Sequence, residues 1–125
     1  MLVPIQIAQA TTGAEIVYVP VPFASNLISI KLVAGVTLAA NGTNHLTVSV
    51  LAADGATSLA SRTTNSGASG TTLTAGTVEG LTISNFNDSG LAAGEAYKIT
   101  TAVGGTLANA TDLVLMFEFQ AARGQ

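Results

Sequence analysis

No stretch of this 125-residue chain repeats its apolar residues every three to four positions, so its pattern offers no amphipathic helix. What recurs instead is a short run of β-favouring residues, often alternating with polar ones and closed by Gly, Asn or Asp. About eight such runs follow one another along the chain. Strands of this kind bury an apolar face only by packing sheet on sheet or by closing into a barrel. The expectation is an all-β, single-domain antiparallel β-sandwich of about eight strands. Several runs are separated by long connections, which favours jelly-roll or Greek-key topology over a meander. At this length one domain is the simplest organisation, and it can sustain one core without staples.

The most apolar run is residues 113–119, Leu-Val-Leu-Met-Phe-Glu-Phe. It is too short to span a membrane as a helix and has the length of a strand that crosses a core. Leu113, Leu115, Phe117 and Phe119 share one side, expected to be core. Val114, Met116 and Glu118 share the other, which stays apolar until Glu118. A strand apolar on both sides belongs in the middle of a sheet. Its late place in the chain makes the fold non-local and its folding slow.

The remaining runs are read in order. Residues 1–12 hold a weak alternation of Val3, Ile5 and Ile7, expected as an N-terminal arm or an edge strand. Residues 14–23 form a strong strand signal that contains Pro20 and Pro22. Proline donates no ladder hydrogen bond, so this is an edge strand or the exit from a sheet. In residues 26–33, Ile28, Ile30 and Leu32 are expected to face inward and Ser29 and Lys31 outward. In residues 45–51, Leu46, Val48 and Val50 are expected inward and His45, Thr47 and Ser49 outward. Asn41-Gly42 and Asp54-Gly55 mark turns.

Residues 57–64 form a weaker strand resting on Leu59, and 65–70 read as a loop. Residues 71–84 read as β-like, with Leu73, Ala75, Leu81 and Ile83 in phase and a bend near Gly76 and Gly80. Tyr97, Ile99, Thr101 and Val103 share one face of the strand that precedes the last one. The Ala-rich pieces at 51–53 and 91–93 have room for one helical turn each. The sandwich is thus expected over residues 13–120, with 121–125 as a flexible tail.

Charge and composition exclude several classes of function. Charged residues make up 9% of the chain, against about 25% in a typical domain. The net charge is −3, and the cations Lys31, Arg62, Lys98 and Arg123 are scattered singly. Nucleic-acid binding needs a cluster of phosphate contacts that this chain does not supply. There is no cysteine, hence no disulfide and no thiolate zinc site. The N-terminus lacks the positive cluster of a signal peptide, and no apolar run reaches membrane-spanning length. Alanine, glycine and threonine supply about two fifths of the chain, which makes a bland exterior weak in mutual repulsion. Such an exterior is expected to be covered in part by a partner.

Chemistry-bearing residues are sparse. His45 is the single histidine and is read as a solvent-facing strand residue. The carboxylates Glu15, Asp54, Glu79, Asp88, Glu95, Asp112 and Glu118 are isolated in sequence, mostly beside turns or strand ends. Asn85, Asn87, Asp88 and Ser89 could offer oxygen ligands to calcium, but a turn held by Asn and Asp side chains accounts for the same residues. Gly67 and Gly70 lack the lysine of a phosphate loop. The triplets starting at Asn41, Asn87 and Asn109 match glycosylation acceptors and are read as loop chemistry. Phe86 either plugs the end of the core or offers a contact. No catalytic, cofactor-binding or metal-ligating residue is expected, and the chain is not read as an enzyme.

Three patterns together resemble a known group. One is Val19-Pro20-Val21-Pro22-Phe23 leading into Ile28-Ser29-Ile30-Lys31-Leu32. The second is Leu91-Ala92-Ala93-Gly94-Glu95 before Tyr97-Lys98-Ile99, and the third is the final strand, 113–119. Over roughly residues 14–120 the chain resembles small jelly-roll decoration (cement) proteins and minor head proteins of tailed bacteriophages. The resemblance implies a structural virion protein on the outer capsid surface, assembled in the host cytoplasm. It implies a homo-oligomer, a trimer above all, that bridges subunits of the major capsid protein. It implies no catalysis and no cofactor, and it carries over no individual contact residue; nucleic acid and membrane are not expected as partners on the charge and run lengths above. Two other readings fit the composition. One is a carbohydrate-binding or adhesive module of a phage tail or cell surface; such modules usually stack sugars on exposed Trp or Tyr, and here there is no tryptophan and only Tyr18 and Tyr97, both in strands. The other is a self-assembling shell or pilus-like subunit.

Overall fold

The computed structural model describes residues 2–7, 15–20, 24–84, 95–107 and 113–121. Eight strands occupy them: β1 (Leu2–Ile7), β2 (Glu15–Pro20), β3 (Ser25–Ala34), β4 (His45–Leu51), β5 (Ser58–Thr63), β6 (Glu79–Leu81), β7 (Ala96–Gly104) and β8 (Leu113–Ala121). They form two antiparallel four-stranded sheets, ordered β1-β8-β3-β6 and β2-β7-β4-β5. Pairing runs outward from one hairpin: β4 with β5, β3 with β6, β2 with β7, β1 with β8. The chain is therefore one long two-stranded ribbon, rolled until β3 meets β8 and β4 meets β7. This is jelly-roll winding, a double-sheet solution to covering strand edges.

The hairpin at the centre of the roll is set by Asp54 and Gly55. Gly55 adopts φ 72, a left-handed value that glycine takes without a Cβ penalty. Its N–H donates to Ala52 O at 2.9 Å, and Ala52 N donates to Thr57 O at 2.8 Å. The Ala-rich piece at 51–53 thus ends a strand and opens this turn rather than forming a helical turn. The one short helix among the described residues is a 3-10 turn, Ser66–Ala68, capped by the Asn65 side chain.

The core lies between the sheets. β8 is flanked by β1 and β3 and buries Leu113, Leu115, Phe117 and Phe119. β4 buries Leu46, Val48 and Val50, and β7 buries Tyr97, Ile99 and Thr101. At the centre, Tyr97 from one sheet stacks against Phe117 and Phe119 from the other, with ring centroids 6.1 and 5.7 Å apart. The two phenylalanines stack on each other at 6.0 Å. Such contacts add to the area burial of the largest side chains in the core.

The structure departs from the sequence reading at several points. A bulge lies between Leu27 and Ser29, and the extra residue reverses the alternation there. Leu27 enters the core, and Ile28, expected inside, is 43% exposed. In residues 71–84 only Glu79–Leu81 is strand. Leu73 and Ala75 make isolated bridges to Leu38 and Ala34, and Gly76 at φ 74 breaks the extended run where the chain passes between sheets. Of the two alternatives for residues 1–12, β1 is the edge strand, paired with β8 over its whole length. At the other end β8 runs through Ala121, paired with Ser25. The expected turn with Phe86, the Asn85–Ser89 oxygens, Pro22, the piece at 91–93 and residues 122–125 lie outside the described residues.

Candidate interaction surfaces

The residues singled out for chemistry are held apart or engaged in structure. His45 opens β4 opposite Gly104, and its ring lies where a Cβ on that glycine would be. Its Nδ1 is buried without a hydrogen-bond partner. The Asn41 Oδ1 accepts from Thr43 N at 2.7 Å and Asn44 N at 2.8 Å, a local turn. Asn44 Oδ1 accepts in turn from Thr106 N at 3.0 Å, tying the β3–β4 and β7–β8 connections together. Asp54 accepts from Ala56 N, Thr57 N and Thr57 Oγ1, and these bonds hold its carboxyl down at about 2. Burial pushes the Tyr97 phenol up to about 12. Among the described residues no group of three or more His, Asp or Glu could hold a metal ion. Asp88, Asp112, Asn87 and Asn109 lie outside them.

Arg62 is a residue whose role the sequence concealed. It stands opposite Val48 on β5, so its side chain points between the sheets, at the edge where β6 faces β5. Its Nε donates to Glu79 Oε2 at 2.8 Å and its Nη2 to Glu79 Oε1 at 3.3 Å. The remaining donors reach the carbonyls of Thr63, Thr71 and Thr72 at 2.6, 3.0 and 3.1 Å. All five guanidinium N–H groups are thereby used. Beside this pair an open groove of about 500 Å³ is lined by Ser61, Gly80, Leu81 and Thr82. All of its donors are spent within the fold, so Arg62 closes this edge of the sandwich beside the groove.

Two broad sheet faces remain. On the outer face of β2-β7-β4-β5 the register aligns Ile16, Thr100, Ser49 and Ser61 in one row, and Tyr18, Lys98, Leu51 and Ser58 in the next. Ile16 is 57% and Tyr18 60% exposed. β2 supplies apolar residues on both sides, Val17 and Val19 facing the other sheet and Ile16 and Tyr18 the outside. That signal was present in the sequence: in a two-sheet sandwich a strand with apolar residues on both sides must leave one set outside.

The outer face of β1-β8-β3-β6 carries Val33, Val114 and Met116, with Lys31 level with Met116 and Ser29 level with Glu118. Val78, 64% exposed, closes a cleft of about 240 Å³ with Lys31, Val33, Val114 and Met116. Ser29 Oγ donates to Glu118 Oε1 at 3.0 Å. Glu118 is exposed, as its interruption of the apolar face suggested.

Comparison with known proteins adds no assignment: no family model, no curated protein and no solved structure matches this chain.

Proposed function

We propose that this protein is a structural component of a phage virion that binds the outer capsid surface and braces neighbouring major capsid subunits. The observation that carries the reading is the outer face of β2-β7-β4-β5, where exposed Ile16 and Tyr18 border rows of serine and threonine with Lys98 as the cation among them. Exposed apolar residues side by side mark contact surfaces, and the serine and threonine hydroxyls around them can form hydrogen bonds to a partner that covers the face. The jelly roll makes that face rigid, and jelly rolls recur in viral capsid and lectin domains. Fold alone does not specify function, so the weight rests on the face. Many copies on a symmetric lattice add contacts that give way only together.

The test is saturable binding to purified capsids that lack this protein, measured for the natural chain and for the Ile16→Ser/Tyr18→Ser variant. Binding that the double substitution abolishes supports the reading, and absence of capsid binding overturns it. Tyr18 beside hydroxyl-bearing residues also suits sugar stacking, so a carbohydrate-binding module is the second reading. A glycan array in which binding disappears with Tyr18→Ser would favour it.

A further inference from the structure

We infer that the outer face of β1-β8-β3-β6 is the contact between two copies of this chain, related by a two-fold axis that sets Lys31 of each copy against Glu118 of the other. The proposal concerns the free protein and stands apart from the capsid reading, which uses the opposite face.

Charge complementarity selects the occupant. The described part of the face carries one cation, Lys31, and one anion, Glu118, on neighbouring strands. They do not pair with each other: among the described residues the one ion pair is Arg62 with Glu79. Ser29 occupies Glu118 Oε1 and leaves Oε2 open to a cation from outside. A two-fold contact brings the same patch against itself, so it requires a patch that complements itself. One positive and one negative group, Lys31 beside Met116 on β3 and Glu118 two residues along β8, meet that requirement when the axis passes between them at Met116 and exchanges one for the other. A partner of strong net charge of either sign would leave one of the two unpaired.

The centre of the patch has the matching chemistry. Val33, Val114 and Met116 form its floor and Val78 its exposed wall. Orthogonal sheet packing, one of the two ways sheets meet face to face, brings Lys31 and Glu118 of opposite copies together across Met116. Size sets the strength. Three strands at about 4.8 Å spacing with an outward run of about 20 Å, and the three-residue β6 with half that run, give a footprint of about 340 Å². A stable pair buries about 800 Å² of accessible surface on each side. At that size the association is weak and transient.

The experiment is sedimentation equilibrium of the full chain from about 1 μM to about 1 mM. The natural chain should pass from monomer to dimer. Lys31→Glu and Glu118→Lys should each weaken the pair by about tenfold or more, since each sets like charges against each other. Mixed in equal amounts, the two variants should form a heterodimer tighter than either variant alone, because each carries what the other needs. Both sites are exposed, so the variants should fold, and circular dichroism checks this. Val78→Asp, outside the ladders, should also dissociate the pair. A monomer throughout the range, a trimer, single variants that associate like the natural chain, or a mixture no tighter than its parts would each overturn the proposal.

Discussion

Replacing Arg62 by methionine keeps the aliphatic stem and removes the five hydrogen bonds that tie β5, β6 and the segment around Thr71 and Thr72 together. Breaking a fully buried ion pair costs about 3–5 kcal/mol. An exposed pair contributes about 0.2–1 kcal/mol. Arg62 and Glu79 side chains are 14% and 28% exposed, nearer the buried limit but with water able to reach the abandoned carboxylate. The carbonyls of Thr71 and Thr72 lie at exposed bonds and also regain water. The expected loss is thus about 2–3 kcal/mol. Urea unfolding at neutral pH measures it as a lower midpoint at unchanged slope. A double-mutant cycle with Glu79→Gln should return a coupling of about 1–2 kcal/mol. A loss below about 0.5 kcal/mol would place Arg62 among ordinary surface pairs and refute its role in closing this edge.

Three further outcomes are expected. Phe119→Ala should cost about 3–5 kcal/mol in chemical denaturation, because the ring is buried against Tyr97 and Phe117; a much smaller loss would mean that the strand faces the other way. Asp54 titrates at about 2 in the folded chain against an ordinary 3.8, so it contributes stability above pH 3.8 that disappears as pH falls towards 2. Unfolding of the natural chain and of Asp54→Ala, compared from neutral pH downward, should therefore converge over that window. Gly105→Ala should destabilise by about 2 kcal/mol or more, since φ is 64 and an added Cβ would meet Thr43 O and Asn44 Oδ1; thermal unfolding reads the effect as a lower midpoint.

Much of the architecture follows from local alternation. Leu46, Val48 and Val50, or Leu113 to Phe119 taken at every second residue, can point only one way once the strand is half buried. Local pattern also made the strand that holds Pro20 an edge and Asp54-Gly55 a hairpin, because proline and glycine act on the backbone that carries them. It failed at Ile28, where one inserted residue in β3 reverses the phase, and in residues 71–84, where the chain changes sheets.

The sequence by itself determined the class of fold, the strands and most of their inward faces, because side-chain alternation and turn chemistry act over a few residues. Only the tertiary structure decided how the ribbon rolls, that Arg62 and Glu79 lock one edge of it, and which apolar residues are left outside. Those outcomes depend on residues far apart in the chain, such as Lys31 and Glu118 on one face or Ile16 beside Thr100 and Ser49 on the other. A strand's own pattern shows that it has two faces; only its neighbours show which face remains bare.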